Sequence, residues 1–547
     1  MKIKFNLAIL ILLLIAEIAN SQPVIIQRVN LNGNNIRAIF QNTGIFNQNT
    51  AAQNQPGFEW PKFSGNYLVF STGITIAAYV NDTMRMAAGS YRGEYGPGYI
   101  ENLLPVSNSD FKIYNVYSYS TNADPDYVNW YKMVPFGAPY DDLNFNGQFD
   151  PMIDKPGVKN AAQTIFVVLN DANQSWHTTG EGFGGGTKPL YAQVSLTAWC
   201  YDSPGMEDIQ LVKFNITNKS NFVWDSAFAS IVCDPDIGDG NDDYIGCDTL
   251  TSSGFAYNAD NNDPEYGLNP PAVGFTLLRG LRDFQTSPVK NLGMTSFVKF
   301  TNTGSAPPPC ESDPNGEPVP AYNFMKGYKK DMSPWVNPLN NQPTKFVYTG
   351  NPETNAGWTQ SKGSRQNCGG LNGNTINLDP PGDVRFVMSS GSTNLKIYPG
   401  QQQNIVIGEI SKRGNSNLNS VTRVKMTAEF LRNYFELYIA SNVNVNVNNI
   451  STIVPESFLV EQNYPNPFNP ETKIRFSLPA AGKVSLKVYD LLGKEVSSIV
   501  DNNLNAGIFE YNYNGSALNS GVYFYKLEFT GNDGKYFSDM KKMMLVK

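Results

Sequence analysis

Between Asp142 and Asp154 the chain places Asp142, Asn144, Asn146, Gly147, Asp150 and Asp154 in a short stretch, alternating small oxygen-bearing side chains around a glycine. That alternation suits a hard divalent cation, because calcium takes six to eight oxygens from Asp, Asn and backbone carbonyls. A second group lies further on. Between Ser220 and Leu278 there are ten carboxylates and no lysine or arginine, while the whole chain carries a net charge of only -7. Asp234, Asp236, Asp239, Asp242 and Asp243 form its densest part. Carboxylates folded close together repel unless a cation or hydrogen bonds offset the charge, so calcium is the expected cofactor here too.

In the first stretch the oxygens fall at loop positions one, three, five and nine with glycine at six, which is most of an EF-hand-type calcium loop. Position twelve departs from it: Ile153 stands where the bidentate Glu belongs, and Asp154 next door is the substitute. Pro139, Pro151 and Pro156 exclude flanking helices. The expectation is an isolated Asp/Asn loop on a β-protein, and an ion-free Asx turn uses the same residue types.

Enzymatic chemistry has few other places to reside. His177 is the sole histidine, which excludes zinc sites built on two or three histidines and leaves room for one Ser-His or Cys-His pair at most. No Gly-x-Ser-x-Gly elbow occurs. The run Gly184-Gly185-Gly186-Thr187-Lys188 lacks the spacing of a phosphate loop, and His177 beside it reads as a plain loop residue. No catalytic residue is assigned. A glycosidase needs only two carboxylates some ~5–9.5 Å apart, so a secreted carbohydrate-active hydrolase is the alternative to a binding protein. Tyr91, Tyr95 and Tyr99, or Trp60 and Trp358, offer rings for stacking on sugars, against the commoner use of aromatics as core.

These residues must be positioned by strands. The composition is rich in Gly, Pro, Asn and aromatics and poor in charge, with 16% Asp, Glu, Lys and Arg, as in loop-rich extracellular β-proteins. Alternating apolar segments at 34–44, 66–80 and 111–119 predict strands. The segments 208–220 and 222–234 predict two long strands paired as a hairpin around Lys219-Ser220-Asn221. Val421, Val424, Ala428, Leu431 and Phe435 recur at helical spacing, predicting one helix near 420–436 with its cap at Asn419-Ser420. Residues 305–366 are crowded with Pro, Gly and Asn and read as a loop-rich insertion without a core. Among five cysteines, Cys310–Cys368 and Cys233–Cys247 are the expected disulfides, with one thiol left over. The acidic balance argues against nucleic acid and anionic membranes as partners.

The ends speak to location. A basic start, an apolar run from Leu7 to Ile15 and small residues around Ala19-Asn20-Ser21 predict a signal peptide over 1–21, and no later stretch has the ~20 apolar residues of a membrane span. From about Pro455 the chain turns into short alternating strands after the proline-spaced arm Tyr464–Pro470. Here "YPNPFNPETKIRFSLP", "VYDLLGKEV", "LNSGVYFYKLEF" and "KKMMLVK" stand in order. They resemble the type A C-terminal sorting domain of the type IX secretion system. The resemblance implies a folded address tag read by that machinery, and cargo secreted or held at the outer surface of a Gram-negative bacterium. Residues 34–436 resemble a group of large uncharacterised exported proteins with the same tag, through "GFEWPKFSGNYLVFSTGITIAAYV", "DDLNFNGQFDPMIDKPGVKNAAQTIFVVLND" and "DPDIGDGNDDYIGCDTLTSSGFAYNADNNDPEYGLNPPAVGF".

The expected protein is therefore all-β and multi-domain, rich in β-sandwich, with a C-terminal Ig-like sandwich. Its parts run 1–21 signal peptide, 22–135 N-terminal β-rich region, 136–440 main module with an insertion at 305–370, 441–454 linker and 455–547 sorting domain. Its expected role is structural, adhesive or binding, with a glycan or surface matrix as partner.

Overall fold

A computed structural model describes residues 26–435, 448–451 and 457–547, apart from 52–54, 92, 145, 147, 179–182, 287–288, 303, 305, 371–372, 374, 505–506, 517 and 532–533. The expected signal peptide lies outside the described residues. The described chain is built mainly of β-strands with few helices, as its alternation and composition predict.

Two large antiparallel sheets form the main module. The first runs, in spatial order, through the strands Arg28–Leu31, Arg37–Gln41, Ile45–Phe46, Tyr67–Val80, Asp225–Pro235, Val384–Gly391 and Ser296–Thr301. The second runs through Tyr114–Tyr117, Gln163–Asn170, Ala192–Cys200, Ile209–Asn218, Gln402–Lys412, Ala272–Arg279, Ser253–Asn258 and Asp243–Asp248. One continuous core joins them, with Phe40, Ile74 and Ile231 from the first sheet and Val194, Phe214 and Ile407 from the second. Phe46 meets Phe214 at 6.1 Å and Phe275 meets Phe386 at 5.6 Å across that core. Strands from 28–87 share a sheet with strands from 225–391.

The hairpin expected from 208–220 and 222–234 does not form. Ile209–Asn218 pairs with Ala192–Cys200 and Gln402–Lys412, whereas Asp225–Pro235 pairs with Tyr67–Val80 and Val384–Gly391 in the other sheet. Residues 219–224 cross from one sheet to the other instead of turning back within a layer, because each strand takes both of its partners from distant segments. The Asn218 amide donates to Phe222 and Ile397 carbonyls and holds the crossing between sheets.

Layers cover both outer faces. On the second sheet lies the helix Asn417–Tyr434, with Val421, Val424, Ala428 and Leu431 buried as the spacing predicted, together with Phe435. Its cap is Ser416, whose hydroxyl accepts the Asn419 N–H at 3.0 Å, three residues earlier than expected. A Cβ at Gly408 would lie 2.3 Å from Leu431 Cδ2, so glycine lets the helix settle onto the strand. Over the first sheet lies the segment 305–380. It carries a core after all: Tyr322, Phe324, Trp335, Tyr348 and Trp358 are buried within the main cluster. Its helix Pro318–Met325 sets Tyr322 against Phe228 and Phe324 against Phe300.

Cys310 and Cys368 form a disulfide with Cα atoms 5.5 Å apart. Cys233 and Cys247 do not: both are buried free thiols, as is Cys200. Cys233 sits on the first sheet and Cys247 on the second, so strand pairing holds them in different layers.

The C-terminal unit is a smaller sandwich of two four-stranded sheets. One is ordered Asn448–Ser451, Gly507–Asn514, Glu471–Leu478, Leu459–Val460; the other Glu495–Leu504, Gly482–Tyr489, Gly521–Gly531, Tyr536–Leu545. Ile474, Phe476, Val484, Leu486, Tyr525 and Leu527 fill the space between them. The proline arm is clamped to the final strand: Phe468 N–H donates to Met544, and Val546 N–H to Phe468. Most of the expected linker lies outside the described residues. Its described part, Asn448–Ser451, pairs with Gly507–Asn514 and so belongs to this sandwich.

Candidate metal centre

The loop 142–154 is the tip of a hairpin whose stem pairs Tyr140 with Pro156 and Asp141 with Lys155. Asp154 is buried beneath it, its carboxylate accepting the N–H groups of Leu143 at 2.9 Å and Asp150 at 2.7 Å. Ile153, at position twelve, is half exposed. Above Asp154, Asp142 Oδ1 and Asn144 Oδ1 each accept the Asn146 N–H at 3.2 Å, and Asn146 Oδ1 accepts that of Gln148 at 2.7 Å. The Asn144 and Asn146 amides both donate to Asp150 Oδ2, each at 2.6 Å. After burial itself, the charges of Asp142, Asp154 and Asp150 raise the pKa of Tyr140, so three negative charges converge at one stem.

The acidic segment divides into two neighbouring sets. Asp234 is the last residue but one of the strand Asp225–Pro235; it accepts the Tyr91 hydroxyl at 2.7 Å and pairs with Arg385 Nε at 3.1 Å. Arg385 Nη2 also meets Asp383 at 3.0 Å. Asp234, Asp236 and Asp383 each bring one oxygen within 4.8 Å of the others. Burial, opposed by Arg385 and reinforced by Asp383, raises Asp234 to about 6. Burial and then Asp234, Asp243 and Asp383 push Asp236 far above the usual carboxylate range.

Asp239, Asp242 and Asp243 belong to the other set. Asp243 is fully buried, with Oδ2 accepting the Ile237 N–H at 2.9 Å and Oδ1 buried without a hydrogen-bond partner. Burial raises its pKa, helped by Asp242, Asp263 and Asp239. Asp242 is held by the Asn258 amide at 2.8 Å. Asp263 Oδ2 accepts the Asp239 N–H at 3.1 Å. Gly238, at φ +65°, lets the loop pass so near that a Cβ there would stand 2.2 Å from Asp263 Oδ1.

Sequence spacing missed Asp383 and Arg385, because strand pairing of Cys233 with Phe386 brings distant segments together, and it offered Tyr91 only as a sugar-stacking ring, whereas its hydroxyl bonds Asp234. An adjacent Asp-x-Arg before an apolar strand was the available signal. Other expectations change. Trp60, Tyr95 and Trp358 are buried and offer no stacking face. His177 is no plain loop residue: its ring is enclosed, Nε2 lying 2.7 Å from the Asp171 carbonyl and Nδ1 3.5 Å from Glu94 Oε2.

Residues 462–542 match the family model of the secretion system C-terminal sorting domain. No curated protein matches the chain. Among solved structures it is similar to CopC from Methylosinus trichosporium OB3b, at 16% identity over 16% of this chain and 93% of that one, with a TM-score of 0.14. A polysaccharide lyase is similar at 8% identity over 96% of this chain and 46% of its own, with a TM-score of 0.22. Dimeric latent PorU from Porphyromonas gingivalis is similar at 10% identity over 70% and 31%, with a TM-score of 0.15. No helix among the described residues is long and apolar enough to cross a membrane. Ordered motifs, a clamped proline arm and the family match converge on the C-terminal unit: it is a type IX secretion sorting domain, and the protein that carries it is exported by that machinery to the outer cell surface or beyond a Gram-negative cell.

Proposed function

We propose that the main module is a structural, adhesive or binding component outside the cell, stiffened by bound calcium. The observation that carries this reading is the loop 142–154, where Asp142, Asn144, Asn146 and Asp150 converge above the buried Asp154. The donors are hard oxygens throughout, the set calcium prefers. Asp234, Asp236 and Asp383 form the second calcium position. Three carboxyl groups face one guanidinium there, and a divalent cation would take the place of the protons that burial favours on Asp234 and Asp236. Asp239, Asp242 and Asp243 supply the neighbouring oxygens, among them the orphaned Asp243 Oδ1.

A glycan or surface matrix is the proposed ligand. Tyr99 lines a hollow of about 550 Å3 with Glu101, Asn102, Lys219 and Asn221, a ring beside polar groups of the kind that suits a sugar. Glu101 is the one carboxylate among those lining residues, so the hollow lacks the acid/base pair of a glycosidase. Calorimetric titration of the purified module tests the cation: binding at about 0.1–1 mM is expected, as for extracellular calcium modules. Absence of heat with wild type, and a melting temperature indifferent to EDTA, would remove the calcium reading. Glycan-array binding lost in Tyr99→Ala supports the ligand; release of reducing sugar would turn the assignment towards a hydrolase.

A further inference from the structure

Four charged side chains are sealed under the segment 305–380. Lys299 stands on the strand Ser296–Thr301, on the same face as Phe297 two residues before it and opposite Phe386. Its Nζ is 2.7 Å from Asp379 Oδ1 and 3.5 Å from Glu311 Oε2. Glu311 Oε1 is 2.7 Å from Lys329 Nζ, and the Tyr348 hydroxyl donates to Asp379 Oδ2. Lys299, Lys329 and Glu311 are almost wholly excluded from solvent, and the side chain of Asp379 is 11% exposed. Beside them is a cavity of about 130 Å3 lined by Lys299, Glu311, Asp379 and the rings of Pro307, Pro308 and Pro380. Two ion pairs taken out of water carry a desolvation cost that their attraction only partly offsets. A reaction consuming one cation and one anion would relieve half of it and leave Lys329 and Glu311 as a matched pair.

We propose that Lys299 and Asp379 condense into an intramolecular amide cross-link, with Glu311 as the proton carrier. The groups are placed for each step. One proton passes from Lys299 Nζ to Asp379 Oδ1, the oxygen it already touches. The neutral amine attacks Asp379 Cγ, and the carbonyl electrons move onto Oδ2, where the Tyr348 hydroxyl stabilises the charge. Glu311 takes a second proton from the nitrogen and delivers it to Oδ1. The Cγ–Oδ1 bond breaks, Oδ2 becomes a carbonyl again, and one water leaves through the cavity. Glu311 ends as it began, a carboxylate facing Lys329, and no oxidant or cofactor is consumed. Burial raises the Asp379 pKa, which favours the neutral acid; burial works against the Lys299 ammonium, but Asp379 and Glu311 outweigh it and raise its pKa. The proton therefore leaves Lys299 by direct transfer to a touching partner. The bond would close a loop over 80 positions, enclosing the Cys310–Cys368 loop of 58. In an exported protein it would tie the covering segment to the sheet beneath it, independently of redox state.

The test is the mass of the purified wild-type protein after reduction of its disulfide. We expect a deficit of one water against the sequence of the mature chain, and, after proteolysis, a branched peptide joining Lys299 to Asp379. The denatured, reduced chain should also migrate faster on a gel than Lys299→Met. Full sequence mass, or a water lost elsewhere in the chain, would overturn the proposal, and because this reading needs no variant, misfolding cannot obscure it. Glu311→Gln, checked for folding by its intact Cys310–Cys368 disulfide, is expected at full mass; complete cross-linking in that variant would refute the role given to Glu311.

Discussion

Glu409 lies in the middle of the sandwich core without a cation to meet it in the described contacts, and its replacement by glutamine is a quantitative test of how that core is built. On the strand Gln402–Lys412 it follows Ile405 and Ile407 along the inward face, paired with Gln210 and Phe275. Asn47 Nδ2 donates to Oε1 at 2.6 Å, and Oε2 is buried without a partner. Burial, opposed only by the Asn47 hydrogen bond, raises the carboxyl from 4.5 to about 8. Below pH 4.5 folded and unfolded chains are both protonated at this site and it costs nothing. Between 4.5 and 8 the folded chain holds a proton that the unfolded chain releases, so stability falls as pH rises. At ~1.4 kcal/mol per pKa unit the full effect reaches about 5 kcal/mol. Glu409→Gln cannot ionise and keeps the acceptor for Asn47. Other buried carboxyls, Asp234 and Asp243 among them, shift in the same sense, but they cancel when variant and wild type are compared at each pH. The expected result is a stability difference that grows in favour of Glu409→Gln from pH 5 to pH 8. In melting temperature that is up to about 6 °C for a cooperative unit of roughly 400 residues. Differential scanning calorimetry across that range reads it directly. A difference that does not change with pH, or a variant less stable at pH 8, would refute the reasoning and imply an ionised Glu409 with a cation beside it.

Deleting residues 462–547 is expected to stop export, leaving the module in the periplasm where cell fractionation finds it; normal levels outside the cell would contradict the role of the tail. With Asp154→Asn, calcium at a hundredfold excess over its dissociation constant should lose most of its ~2.7 kcal/mol of stabilisation, seen as a melting curve no longer shifted by EDTA. Leu431→Ala should destabilise the module by about 2–5 kcal/mol in urea unfolding, because the side chain is buried between helix and sheet and leaves a cavity. Reducing Cys310–Cys368, which are 58 positions apart, should cost about 4 kcal/mol, measured against the intact disulfide.

What could be read from the sequence was local. The sorting tail announces itself because its strands alternate cleanly, with Ile474, Phe476 and Leu478 inward and polar neighbours outward. The helix is legible because one of its faces is polar and exposed. Strand partnership in the large sandwich was not legible. Ile209–Asn218 and Asp225–Pro235 are covered on both faces, so polarity does not say which sheet holds them, and proximity in sequence suggested the wrong pairing. The loop 142–154 is likewise local: its Asp and Asn side chains bond to one another and to the loop's own N–H groups. Asp383 and Arg385 lie some 150 positions beyond Asp234 and reach it only through sheet pairing.

The segment 305–383 explains why the Lys299 cluster, and the Asp383 and Arg385 partners of Asp234, escaped the sequence. It lacks periodicity because it folds as short turns and a two-turn helix, yet Trp335, Tyr348 and Trp358 anchor it by large buried surfaces, and aromatics scattered through a Pro- and Gly-rich stretch were the readable sign of that. Its two ends then complete sites begun elsewhere. Glu311 and Asp379 flank Lys299 of the first sheet, and Asp383, at the far end, turns towards Asp234 with Arg385. Burial of a charge is tolerable only with a partner, so each cluster can form only once this segment has docked. Docking and charge pairing are therefore one event, and a variant that weakens the aromatic anchor, such as Trp335→Ala, should loosen the Lys299 and Asp234 clusters together, raising hydrogen exchange at the strands Ser296–Thr301 and Val384–Gly391 in parallel. Exchange that rises at Ser296–Thr301 alone would separate the two sites.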